Sequence, residues 1–146
     1  TLGLGSHVLT LQVTDSEGVS DADVVELTIV DTTPPLVDSL TASPDFLWPP
    51  NHAMVSVSIE GEVTDACDND PTIEVIAIES NEAENGLGDG DSAPDALLTG
   101  SLTAMLRAER SGNGTGRVYV ITIQARDESG NTSTATTTVR VPRSAR

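Results

Sequence analysis

The chain has 146 residues, of which 37% are apolar and 2% aromatic, and its formal net charge is -16 at pH 7. It has 23 acidic residues but only seven arginines and no lysine. This composition excludes nucleic acid as a partner, because binding a phosphate backbone requires a basic surface. A core of Val, Ile, Leu and Ala favours strands over helices. The charge fits either solubility by self-repulsion or partial neutralisation by bound divalent cations.

Cysteine content and hydropathy bear on disulfides and on membrane-spanning segments. Cys67 is the single cysteine, so an intramolecular disulfide cannot stabilise the fold, and calcium could serve in its place. No run approaches the roughly 18 apolar residues of a membrane span, and no signal-peptide pattern opens the sequence. We therefore expect an excerpt of a longer polypeptide, with no membrane-spanning segment.

The first 31 residues are predicted to form a β-hairpin. Residues 7–13 alternate between apolar and polar, residues 15–18 supply a turn, and residues 24–30 form the returning strand. A two-stranded hairpin is only marginally stable alone, so we expect it to pack on something or to stay mobile.

The same pattern recurs 112 residues later. Tyr119 then takes the position of His7, and Asp127 takes the position of Asp15. A supersecondary unit that occurs twice, each time at the end of a segment, is typical of tandem arrays. We interpret residues 1–31 as the last hairpin of an upstream domain.

Residues 32–146 are predicted to form a separate domain after a linker that Pro34 and Pro35 stiffen. Seven short strands separated by turns favour an all-β, immunoglobulin-like antiparallel β-sandwich. The apolar phase shifts between Val75 and Ile76, which predicts a β-bulge. The seven strands are expected near 36–41, 55–63, 73–78, 97–98, 102–108, 119–125 and 139–141.

Several segments resemble bacterial extracellular immunoglobulin-like modules of the PKD and HYR (hyalin repeat) type. They are Tyr119-x-Ile-x-Ile-x-Ala-x-Asp127 with Gly130-Asn131, Asp31-Thr-Thr-Pro-Pro35, and Val63-Thr-Asp-x-Cys-Asp68. Leu47-Trp-Pro-Pro-Asn-His52 and Gly88-Asp-Gly-Asp91 are similar to a subgroup found beside secreted hydrolases and in large surface proteins. The resemblance covers about residues 31–142, and residues 1–31 are similar to the end of a PKD module. It implies an extracellular or cell-surface location. HYR modules often carry a second cysteine, which this chain lacks.

One end of the predicted sandwich collects acidic residues from the linker and from two turns. Carboxylates brought together without a basic partner repel, and calcium with six to eight oxygen ligands relieves that repulsion. A cation there would also stiffen the linker. The alternative is a set of Asx turns, in which each side chain bonds its own backbone. The candidate ligands are Asp31, Asp65, Asp68, Asp70 and Asp127, with Asn69 and Asn131 as amide ligands.

The opposite end holds the acidic loop 81–95. Its alternating carboxylates resemble the start of a calcium loop, although the spacing and the flanking strands exclude an EF-hand. The alternative is a solvated acidic loop. Arg107, Arg110 and Arg117 are expected to pair with nearby acids. The candidate metal ligands here are Glu82, Asp89, Asp91 and Asp95, with Glu84 completing the shell.

Trp48 and His52 are expected at that same end. The tryptophan could stack on a sugar, or its ring could seal the sandwich, and the histidine fits a hydrogen-bonded loop residue better than a zinc ligand.

No catalytic motif is present, so we expect no enzyme activity. The expected function is a calcium-stabilised structural or adhesive repeat whose partners are neighbouring immunoglobulin-like domains of the same polypeptide. One alternative is a carbohydrate-binding accessory module of a secreted hydrolase, with polysaccharide as its partner. Another is a fibre subunit that joins like subunits by strand addition through residues 1–31.

Overall fold

The structure, a computed structural model, describes residues 2–84 and 93–144. It divides into two compact units, Thr1–Thr32 and Thr33–Arg146. Strands are the regular secondary structure of the described residues, and none of these residues belongs to a helix long and apolar enough to cross a membrane.

The first unit is a β-hairpin. Strand β1 (Gly5–Thr14) pairs with β2 (Ser20–Ile29) in antiparallel register. The turn between them is an Asx turn, since Oδ1 of Asp15 accepts hydrogen bonds from the N–H groups of Glu17 and Val19, both at 2.9 Å. Gly18 completes the turn with a φ of 86°, a left-handed conformation that glycine adopts readily.

The second unit is an immunoglobulin-like β-sandwich. One sheet has the order β3-β4-β7-β6 and the other the order β5-β8-β9, all antiparallel, which is the four-plus-three arrangement of that fold. The predicted fold class is confirmed. The strands are β3 (Leu36–Ser43), β4 (Met54–Thr64), β5 (Thr72–Ser80), β6 (Ala96–Gly100), β7 (Thr103–Arg107), β8 (Gly116–Arg126) and β9 (Thr132–Pro142).

The core lies between the two sheets, because alternate side chains of each strand point inward. Val57 and Ile59 of β4 are buried, and Ile121 and Ile123 of β8 face them from the other sheet. The predicted bulge is present as well: the pairing of β5 with β8 shifts around Ile76, whose side chain is exposed.

The residues after β3 close the sandwich against β9. The N–H of Leu47 donates to the carbonyl of Arg140 at 2.8 Å, and the N–H of Arg140 donates to the carbonyl of Asp45 at 2.9 Å. Phe46 and Arg140 thereby form a parallel bridge. The segment after β3 thus passes from the first sheet of the sandwich to the edge of the second.

The connecting loops gather at two ends. The Asp127 pole comprises the segment leading into β3 and the β4–β5 and β8–β9 loops. The Arg117 pole comprises the β3–β4 and β7–β8 loops, the described residues of the β5–β6 loop and the first residues of β8.

Candidate functional site

The β4–β5 loop at the Asp127 pole is built from consecutive Asx turns. Oδ1 of Asp65 accepts hydrogen bonds from the N–H groups of Cys67, at 2.8 Å, and Asp68, at 2.9 Å. Oδ1 of Asp68 accepts one from Asp70 at 2.9 Å. The predicted Asx-turn alternative is therefore present for one oxygen of each acid. The second oxygen of Asp65, Oδ2, is buried and accepts no hydrogen bond from any described residue.

Asp127 opens the β8–β9 turn and is held by Asn131. The backbone N–H of Asn131 donates to Oδ1 and its side-chain amide donates to Oδ2, both at 2.7 Å. Burial opposes ionisation, but these bonds and those from the backbone of Gly130 and Ser129 outweigh it and lower the pKa of Asp127. Asn131 thus keeps Asp127 ionised and points its amide nitrogen, not a ligand oxygen, at that carboxylate.

Three carboxylates come together at this pole. One oxygen each from Asp31, Asp65 and Asp127 lies within 4.8 Å of the others. Calcium–oxygen distances of about 2.4 Å allow two ligands on opposite sides of the ion to be about 4.8 Å apart, so a single ion can reach all three. The structure therefore gathers three of the predicted ligands.

The other predicted ligands of this pole lie beside that cluster. Oδ2 of Asp68 accepts a hydrogen bond from the N–H of Glu128 at 2.8 Å, which ties the β4–β5 loop to the β8–β9 loop. Asp68 and Asp70 line a neighbouring depression together with Arg126. Asn69 is exposed.

At the opposite end, the side chain of Arg117 is completely buried and surrounded by acids. Nη1 donates to Oδ2 of Asp95, Nε lies 3.4 Å from Oε2 of Glu82, and Nη2 lies 3.8 Å from Oε1 of Glu109. The guanidinium also lies 5.7 Å from the ring centroid of Tyr119. Burial opposes the charge, but Asp95 outweighs it and raises the pKa of Arg117.

This guanidinium pairs with two of the predicted metal ligands. Oδ2 of Asp95 is bonded to Arg117, and Oε2 of Glu82 also accepts the N–H of Ser111 at 2.7 Å. Of the remaining predicted ligands, Asp89 and Asp91 lie outside the described residues, and Glu84 is exposed. The described part of the loop is thus organised around the buried guanidinium of Arg117, which carries the positive charge.

Glu109 is a second completely buried charged residue. Its Oε2 lies 2.8 Å from Nδ1 of His52, while its Oε1 accepts no hydrogen bond from any described residue. Burial raises the pKa of Glu109, and the bond to His52 only partly offsets this. His52 is therefore a hydrogen-bonded loop residue, in line with its sequence.

Arg107 joins two loops of this pole. Nη1 donates to the carbonyl of His52 at 2.9 Å, and Nη2 donates to the carbonyl of Pro94 at 2.9 Å. Trp48, on the same loop as His52, is 42% exposed. Among the described residues, Arg107 pairs with Asp95 and Arg117 pairs with Asp95 and Glu82, as expected, while the guanidinium of Arg110 donates to backbone carbonyls.

Sequence reasoning did not single out the burial of Arg117 and Glu109. A signal for the arginine existed, because Arg117 stands two residues before Tyr119 and so continues the inward alternation of β8. Glu109 directly follows the buried Ala108, beyond the end of β7, and two consecutive buried residues do not fit the alternation of a strand, so its sequence context contains no such signal.

No protein-family model, no curated protein and no solved structure matches this chain. The residues of the two poles are therefore the basis for inferring a function.

Proposed function

We propose that this chain is a non-catalytic, calcium-stabilised module of a secreted or surface-displayed bacterial protein, of the PKD/HYR type that its sequence resembles. It serves as a structural or adhesive repeat beside neighbouring immunoglobulin-like domains. The observation that carries the proposal is the grouping of the Asp31, Asp65 and Asp127 carboxylates within 4.8 Å.

The chemistry of the cluster favours a hard cation. Calcium binds carboxylate oxygens in flexible geometry and takes six to eight ligands, so three carboxylates with backbone carbonyls and water suffice. Oδ1 of Asp65 already serves its own turn, which leaves the buried Oδ2 available to an ion. Asp127 is held ionised by Asn131, as a metal ligand must be.

The cluster also couples ion binding to folding. Asp65 and Asp127 belong to two loops of the sandwich that are far apart in sequence. A bound ion stabilises the folded state because the unfolded chain does not assemble the ligands.

Thermal unfolding with calcium and with chelator tests the proposal. At a calcium concentration 100-fold above Kd, binding to the folded state adds about 2.7 kcal/mol, which raises Tm by several degrees. Asp65→Asn should abolish the calcium-dependent rise. The asparagine side chain retains a carbonyl oxygen for the N–H groups of Cys67 and Asp68, so the turn is preserved while the anionic Oδ2 is lost.

Glu74→Gln is the matched control, since it removes one negative charge from an exposed position on β5. This variant should keep the full calcium response at 0.15 M salt, where general charge screening is equal in all samples. An identical Tm with calcium and with chelator would eliminate the proposed ion, as would an undiminished response in Asp65→Asn.

A carbohydrate-binding role is the second candidate, favoured by the exposure of the Trp48 ring beside two prolines. An exposed aromatic face can stack on the apolar face of a sugar. Glycan-array binding that disappears in Trp48→Ala and persists in Leu97→Ala, at another exposed apolar position, would support it. Absence of binding to every glycan tested would remove this role.

A further inference from the structure

The two hairpins of the chain have the same pairing register. There are ten β1–β2 pairs, and adding 112 to both residue numbers of each pair gives a β8–β9 pair. His7 opposite Leu27 corresponds to Tyr119 opposite Val139 in this way. The sequence repeat is thus also a repeat of backbone pairing.

The turns correspond as well. The N–H of Gly18 donates to the carbonyl of Asp15 at 3.2 Å, and the N–H of Gly130 donates to the carbonyl of Asp127 at the same distance. The two glycines have φ values of 86° and 93°. Strand, turn and strand therefore match from end to end.

The burial of the two hairpins differs completely on one face. We call this face of β1–β2 the Leu9 face. On β1 it carries His7, Leu9, Leu11 and Val13, and on β2 it carries the residues paired with them, Leu27, Val25, Asp23 and Asp21, together with Ile29. The side chains of Leu9, Leu11, Val13 and Leu27 are 41–69% exposed. The corresponding residues of β8–β9, which are Ile121, Ile123, Ala125 and Val139, are all 0% exposed because the opposite sheet covers them.

Strands β1 and β8 also differ in how many of their edges are paired. Strand β8 lies between β5 and β9, so both of its edges are paired. Within the described part of the chain, β1 pairs only with β2. An unpaired edge exposes backbone N–H and C=O groups that can bind a further strand.

We propose that the Leu9 face and the unpaired edge of β1 bind the remaining strands of a separate immunoglobulin-like sandwich, of which β1 and β2 are the last two strands. In that assembly a strand equivalent to β5 pairs with β1, and a second sheet covers the Leu9 face. This inference is independent of the cation site.

The partner is not a second copy of this sandwich. Arg117, the counter-ion of Asp95 and Glu82, corresponds to Gly5 in the hairpin. Exchange of β1–β2 for β8–β9 between two copies would remove the Arg117 guanidinium from Asp95 and Glu82 and put Gly5 in its place, which is strongly unfavourable. The first 32 residues also carry six acidic and no basic side chains, so two hairpins repel each other. Because Gly5 supplies no charge where β8 has Arg117, we expect the partner's interior next to Gly5 to be apolar and uncharged.

The edge is tested with a strand peptide added to the full chain. The probe is the β5 sequence Thr72–Ser80 carrying Glu74→Lys and Glu79→Lys, so that its charge complements the acidic hairpin. By the β5–β8 register, Ile73, Val75 and Ile78 of the peptide lie opposite Val13, Leu11 and Leu9. We expect millimolar peptide to slow hydrogen exchange of β1 amides about 10-fold or more.

Two variants locate the interaction. Leu9→Glu should abolish the protection, because the new charge faces Ile78 of the peptide, whereas Val8→Glu, on the opposite face of the same strand, should retain most of it. A scrambled peptide should give none.

Three results would overturn the proposal. One is the absence of protection by the peptide, and another is equal protection by the scrambled sequence. The third is a dimer in light scattering whose β1 and β2 amides are already protected without peptide, which would identify a second copy of this chain as the partner.

Discussion

The carboxylate Oε2 of Glu109 lies 2.8 Å from Nδ1 of His52, and this contact joins a completely buried acid to an imidazole whose side chain is 51% exposed. The pair ties the β7–β8 loop to the β3–β4 loop. The backbone reinforces it, because the N–H of His52 donates to the carbonyl of Ala108 at 3.0 Å.

Removing the imidazole should destabilise the sandwich. In His52→Ala, Oε2 of Glu109 is buried without its hydrogen bond, and we expect a loss of about 1–3 kcal/mol in the free energy of unfolding. Denaturant unfolding measures it. His52 has a φ of 64°, so His52→Gly separates two effects: glycine relieves backbone strain and should recover part of the loss. Equal stability of His52→Ala and the parent chain would contradict the pairing.

Glu109 should make stability fall as the pH rises. Its raised pKa means that the folded state binds this proton more tightly than the unfolded chain does, so stability decreases between pH 4.5 and the folded pKa of Glu109. The slope from one group is at most about 1.4 kcal/mol per pH unit. Glu109→Gln should remove this component, which unfolding measured across that interval would reveal as a flatter profile. An unaltered profile would argue against a raised pKa.

Arg117 should be among the most sensitive positions of the sandwich. Arg117→Met preserves much of the volume but leaves the buried acids Asp95 and Glu109 without their guanidinium, and loss of one partner from a buried ion pair costs about 3–5 kcal/mol. Arg126→Met is the matched control at the exposed end of the same strand and should change stability by about 0.5 kcal/mol or less. Similar unfolding midpoints for the two variants would show that the cluster contributes little.

Asn131 should control the ionisation of Asp127. Asn131→Ala removes the side-chain amide, so the pKa of Asp127 should rise toward 3.8 in a carbon-13 titration of its carboxyl group. A lowered folded pKa contributes stability above pH 3.8 that is lost as the pH falls through the folded value, and the variant should show less of that acid-dependent loss. Asn113→Ala, in an exposed loop, is the control. An unchanged pKa of Asp127 in Asn131→Ala would be inconsistent with the two short hydrogen bonds.

Alternation made most of the sandwich predictable from sequence. Val57 and Ile59 point inward and Ser58 outward as the period of two requires, and the phase shift after Val75 located the bulge at Ile76. These features are local, because each depends on residues adjacent along one strand. Antiparallel topology then predicted that Asp31, Asp65 and Asp127 would meet at one end.

The Arg117 cluster was harder to predict because it depends on distant contacts. Glu82 and Asp95 come from opposite ends of the β5–β6 loop and Glu109 from the β7–β8 loop, and their acidic character alone indicates solvent or metal equally well. The alternation of β8 indicates that Arg117 points inward, but the packing of the loops decides that acids surround it, and no short-range pattern encodes that packing. Whether calcium binds at either pole stays a prediction.

The bonds that join Asp45 and Leu47 to Arg140 determine how the sandwich responds to tension. Strand β3 starts at the Asp127 pole and β9 finishes at the Arg117 pole, so a pull on the two ends of the domain draws the residues after β3 and strand β9 in opposite directions along their parallel pairing. Both hydrogen bonds are then loaded in shear and must rupture together, not one after the other. The same contact that closes the sheet edge thus makes this domain suited to carrying force along a polypeptide.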